Sequence, residues 1–81
     1  MKTMTRTNLT ALRCMIENYY ANAAIDYGVR FDGVDIWEDS RDLCISAREG
    51  NTRRLAVMPS GVYTAEEAFY LWMDYAVEFA L

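Results

Sequence analysis

The sequence predicts an α+β fold: a two-layer single domain in the order helix, three-stranded antiparallel meander, helix (αβββα). Three observations predict it. Apolar residues recur at helical spacing over residues 8–27 and again over 64–80. Between residues 29 and 59 the period changes to two, as in half-buried strands. Turn-forming residues, Asp39-Ser40 and Glu49-Gly50-Asn51, interrupt that alternation twice. With 81 residues the chain has room for one domain spanning 1–81, with residues 1–7 expected to be flexible. A composition 53% apolar and 25% charged is that of a folded protein rather than a disordered one.

The first helix is carried by Leu9, Leu12, Met15, Ile16, Tyr19, Tyr20, Ala23 and Tyr27. Thr7 or Asn8 suits the N-cap. Gly28 follows the last periodic residue and can adopt the left-handed conformation that closes a helix.

Three alternating segments follow: Val34 and Ile36; Leu43, Ile45 and Ala47; Leu55 and Val57. A two-residue Asp39-Ser40 loop would set Ile36 opposite Leu43 and Val34 opposite Ile45. A three-residue loop at 49–51 would set Ile45 opposite Leu55 and Leu43 opposite Val57. Both registers gather the apolar set on one face, and a slip of one residue would undo that match. Asp32-Gly33 is either a bulge in a long first strand, the favoured reading, or a tight turn before a short one.

Pro59-Ser60-Gly61 ends the third strand, and Thr64-Ala65-Glu66-Glu67 has the pattern of a capping box. It would start a helix over 64–80 whose core stripe is Ala68, Phe69, Trp72, Met73, Ala76 and Phe79. Of the last eighteen residues thirteen are apolar or aromatic, four are acidic and none is basic. A helix apolar on most faces must be buried on most faces. A chain this short has little protein to cover it, so the surplus points to a partner.

Several function classes fare badly. Without histidine there is no imidazole base and no Ser-His or Cys-His pair. No P-loop, G-x-S-x-G or G-x-G-x-x-G is present, and the calcium-loop spacing is missing. Cys14 and Cys44 lie thirty residues apart and read as two free, partly buried thiols; with no imidazole a zinc site is not expected. Asp35, Glu38, Asp39 and Asp42 cluster enough to raise acid–base chemistry, but carboxylates beside a turn between strands are commonplace. No enzyme activity, catalytic residue, cofactor or metal is expected. No run of roughly 18 apolar residues could span a membrane and no signal-peptide core follows the N-terminus, so a cytoplasmic location is expected.

Three features could carry binding. The first is an acidic arc, Asp32, Asp35, Glu38, Asp39 and Asp42, with Trp37 inside it. Alternate strand residues lie roughly 6–7 Å apart, close to two rises of a nucleic-acid strand, so such an arc can occupy a groove built for nucleic acid. Trp37 alternates with Ile36 and should point away from the core, as an interface anchor within a charged rim. The plainer reading is a solvated strand face. The second feature is the acidic stripe of the last helix, Glu66, Glu67, Asp74 and Glu78, beside Tyr70 and Tyr75. The first turn benefits from its acids, but Asp74 and Glu78 gain nothing from the helix dipole. The third is Arg48, Arg53 and Arg54 around Gly50, a possible phosphate site, or simply partners for Glu49 and its neighbours.

In size, charge and element order the chain resembles small acidic phage-encoded inhibitors of host defence, the anti-CRISPR proteins. The resemblance spans the whole chain at that level and carries over no individual residue. It implies a non-enzymatic protein–protein inhibitor that blocks a basic, nucleic-acid-handling effector, such as a CRISPR surveillance complex or nuclease, by nucleic-acid mimicry in a bacterial host cytoplasm. The expected contact residues are Asp32, Asp35, Trp37, Glu38, Asp39, Asp42, Asp74 and Glu78. A homodimer is compatible with this. The alternatives are a homo-oligomeric structural or regulatory subunit using the apolar last helix, and a small RNA-binding domain using the arginine hairpin. With a pI near 4.6, direct nucleic-acid binding is not expected.

Overall fold

Thr5, rather than Thr7 or Asn8, starts the first helix. A computed structural model describes residues 3–80, and in it α1 runs from Arg6 to Tyr27. The Thr5 hydroxyl accepts from the Asn8 N–H at 3.2 Å. Met4, just before the cap, is 5% exposed, and Leu9, four positions into the helix, packs on the same core, the placement of a hydrophobic staple. The Met4 N–H also donates to Glu38 at 3.2 Å. The segment expected to be flexible is therefore tied down from Met4 onward, and residues 1–2 lie outside the described residues. Gly28 closes the helix at φ +68°, its N–H donating to the Ala24 carbonyl.

Strands β1 (Gly33–Glu38), β2 (Asp42–Glu49) and β3 (Thr52–Pro59) form the meander. Both registers differ from those expected. In the first hairpin Ile36 opposes Ile45 and Val34 opposes Ala47, a shift of two residues that keeps the faces intact. The cause is Asp39. Its carboxylate accepts from the N–H groups of Arg41 and Asp42, both at 2.8 Å, and its own N–H donates to the Asp42 carbonyl at 3.0 Å. Asp39 and Asp42 thus close the turn, and the loop is Ser40-Arg41.

The second hairpin slips by one. Glu49 opposes Thr52, so the loop is the two residues Gly50-Asn51, with Gly50 at φ +63°, the backbone a type II′ turn asks of its first central residue. Ile45 now faces Ala56 and Leu43 faces Met58. Ala56 and Met58 join the core, while Leu55 and Val57 turn to the other side. Residues 55–58 are all apolar, so their pattern fits either face.

At the mouth of β1, Gly33 pairs with Arg48 while the Asp32 N–H donates to the same residue's carbonyl at 2.8 Å. Two residues address one, as in a bulge, at the strand's start rather than inside a longer strand.

The capping box forms in full: Thr64 Oγ1 accepts from the Glu67 N–H at 3.1 Å and Glu67 Oε1 accepts from the Thr64 N–H at 2.9 Å. The helix it starts, α2, is shorter than expected, Ala65–Tyr75. Ala76 is extended (φ −64°, ψ 137°) and Val77–Ala80 form a fourth strand, β4, antiparallel to Thr52–Leu55 of β3. The sheet order is β1-β2-β3-β4. Val77 and Phe79 are good strand formers, and the unpaired edge of β3 supplies the ladder that a last helical turn would have forgone.

Both helices lie on one face of the sheet. Leu12, Ile16 and Tyr20 of α1 and Ala65, Ala68 and Trp72 of α2 meet Val34, Leu43, Ile45, Ala47, Ala56 and Met58 in one core. Trp72 is fully buried; its indole N–H donates to the Arg54 carbonyl at 3.3 Å, and the Arg54 guanidinium lies 4.7 Å from its ring centre. Phe79, expected in the core stripe, is 45% exposed on β4, and Tyr27 is 82% exposed at the end of α1. No helix among the described residues is long and apolar enough to cross a membrane.

Candidate interaction surfaces

The acidic arc does not form one surface. Asp32 accepts from the Gly50 N–H at 3.0 Å and pairs with Arg30 at 3.1 Å, holding the β2–β3 turn against the mouth of β1. Glu38 points to the helix-bearing side, where its two oxygens accept from the Met4 N–H at 3.2 Å and the Ser60 hydroxyl at 3.1 Å. Asp39 builds its turn. The N–H groups of Asp42 and Arg41 hold its carboxyl below the ordinary range, an effect of local hydrogen bonds and not of a partner site. Three of the five acids thus have structural work. Asp35 and Asp42 remain, on the face of the sheet that carries no helix.

That open face reads in cross-strand rows. One is Trp37, Cys44 and Val57; the next is Asp35, Ser46, Leu55 and Val77; the third is Gly33, Arg48, Arg53 and Phe79. Trp37 is 45% exposed, as its alternation with Ile36 predicts. Val57, Val77 and Phe79 are exposed beside it, while Cys44 and Ser46 lie buried at the floor. Burial, followed by the charges of Asp42 and Asp39, pushes the Cys44 thiol up, which disfavours the thiolate. Cys14 is also free and exposed on α1.

The three hairpin arginines are split between the faces. Arg54 turns inward to Trp72 and donates to the Met73 carbonyl at 3.3 Å, near the C-terminal end of α2. Arg48 and Arg53 stay on the open face, directly opposite each other. Asp35 lies 3.4 Å from Arg48 Nε without a hydrogen bond, and among the described residues Arg53 has no carboxylate partner.

A second surface lies on the helix-bearing side. Because β4 pairs with Thr52–Leu55, the outer edge of β3 has no strand partner from Ala56 to Pro59 among the described residues. There the strand and α2 enclose an apolar groove of about 260 Å³, lined by Met58, Pro59, Tyr63, Leu71 and Tyr75 among others. Tyr63 is fixed by its hydroxyl, which donates to the Pro59 carbonyl at 2.6 Å. Helical spacing runs two rows down the exposed side of α2, Glu67-Leu71-Tyr75 and Glu66-Tyr70-Asp74. Tyr70 and Tyr75 are exposed, and Glu78 follows on β4, on the helix-bearing side of the sheet. Among the described residues the carboxylates of Glu66, Asp74 and Glu78 make no hydrogen bond or ion pair, although Arg54 lies opposite Glu78 in the β3–β4 ladder, and no base lies between Thr64 and Leu81. The groove had no signal in the sequence: it exists because the helix ends early and β4 is short.

No group of three His, Cys, Asp or Glu side chains among the described residues could hold a metal ion. Compared with protein-family models, curated proteins and solved structures, the chain matches none.

Proposed function

We propose that this chain is a non-enzymatic protein–protein inhibitor that blocks a basic, nucleic-acid-handling protein of the anti-CRISPR-target type. The contact surface in this reading is the acidic, aromatic side of α2 with its groove, not the arc around β1. The observation that carries it is the apolar groove beside Tyr75, on the same side of the sheet as Glu66, Asp74 and Glu78, whose carboxylates form no ion pair among the described residues. An apolar groove with unpaired carboxylates on its side of the sheet suits a basic segment that anchors one apolar side chain and meets Asp74, Glu66 and Glu78 with lysines or arginines. Of the residues expected at the interface, Asp74 and Glu78 fall here. Asp32, Glu38 and Asp39 are committed to the fold.

Pull-down of the tagged protein from bacterial lysate carrying CRISPR effectors, washed at rising salt, tests this. The expected result is one basic effector that leaves with salt, is lost with the triple variant Glu66→Lys, Asp74→Lys, Glu78→Lys, and is retained by Asp39→Asn. An effector retained equally by the triple variant would rule this surface out.

A further inference from the structure

We propose that the open face of the sheet is the interface of a homodimer, in which two copies pack face to face with their strands antiparallel. No described element covers this face, although Trp37, Val57, Val77 and Phe79 are each at least 45% exposed on it. Its floor is already dry: Ser46 is fully buried, and its hydroxyl has no hydrogen-bond partner.

The charges choose the partner. Arg48 and Arg53 face one another at the Gly50 end, an arrangement that like-charge repulsion disfavours within one copy. Neither Nε is hydrogen-bonded, but Arg48 Nε lies 3.4 Å from the Asp35 carboxylate of the same face, so the unbalanced charge at this end is that of Arg53. At the opposite end of the same face, Asp42 points outward next to the Asp39 turn. Among the described residues the Asp42 carboxylate has no ion-pair partner. One copy therefore carries a basic end and an acidic end on one apolar face. A two-fold axis perpendicular to the strands lays each basic end over the other copy's acidic end; an axis along the strands lays arginines on arginines. Self-complementarity of this kind is what an isologous dimer requires.

The area is adequate for a reversible dimer. Three strands of six to eight residues and the four-residue β4, at about 4.8 Å spacing and about 3.3 Å per residue, give a face of roughly 400 Å². Two such faces bury roughly 800 Å², the size of a weak, transient contact. This dimer leaves both α2 surfaces facing outward, and it does not depend on the inhibitor reading.

Sedimentation equilibrium of the full chain from about 1 μM to about 1 mM tests it. The expected mass rises from 9.3 kDa toward twice that value. Arg53→Glu and Asp42→Arg should each weaken association about tenfold, and the two together should restore it. Val57→Asp should abolish it while circular dichroism stays that of the wild type. A wild type that remains monomeric throughout, including one that instead binds a single-stranded polyanion or another protein, overturns the proposal. So does a double charge variant no tighter than the singles.

Discussion

Gly33 is where single-residue chemistry matters most. Its φ of +136° is open to glycine and strained for other residues, and a Cβ there would lie 2.5 Å from Arg48 Nη2. The missing side chain lets the Arg48 guanidinium lie across the mouth of β1, beside Asp35. Gly33→Ala should therefore cost about 1–3 kcal/mol in urea unfolding, and it should also displace Arg48. A similar residue-scale economy governs the acids. Asp32, Glu38 and Asp39 look from the sequence like one surface, but each accepts hydrogen bonds that hold a turn or a terminus. Which carboxylates are free for a partner depends on which N–H groups come within reach, and those belong to residues up to 34 positions away.

For whole elements, the register of β3 decides which side chains meet the core. Met58 is 7% exposed and Val57 is 57% exposed. Met58→Asp should unfold the domain or cost more than about 3 kcal/mol, since it buries an unpaired charge. Val57→Asp should leave the urea midpoint within the scatter of surface substitutions. The expected register, with Val57 facing inward, demands the opposite ranking, so the two unfolding curves discriminate directly. The α2–β4 junction makes the same point. A helix continued to residue 80 would bury Phe79. Ending at Tyr75 puts Phe79 on the open face, shortens the cover over the β3 edge, and so creates the groove beside Tyr75.

Over the whole molecule, stability should depend on pH at both ends. Glu67 is held below its ordinary 4.5 by the Thr64 N–H and hydroxyl, and Asp39 below its ordinary 3.8 by the Asp42 and Arg41 N–H groups. Depressed carboxyl values stabilise the fold above the ordinary range, and that stabilisation is lost as pH falls through the lower folded values. Tyr20 is shifted the other way, raised above its ordinary 10.0 by burial and by its hydrogen bond to Glu49. Its contribution is complete below pH 10 and is lost as pH rises beyond it. Urea midpoints should hence fall below roughly pH 4 and above roughly pH 10. Thr64→Ala should flatten the acid limb and Tyr20→Phe the alkaline one. The sequence by itself determined the α+β class, the first helix with its Gly28 cap, the capping box at Thr64 and the outward direction of Trp37, because each rests on local periodicity or on contacts within four residues. Only the tertiary structure decided the register of β3, the early end of α2, the fourth strand, the dispersal of the acidic arc and the bare face of the sheet. Residues 55–58 and 76–80 are apolar enough to satisfy two conformations. The choice falls to the edge of β3 and to the buried Trp72, which a local pattern does not contain.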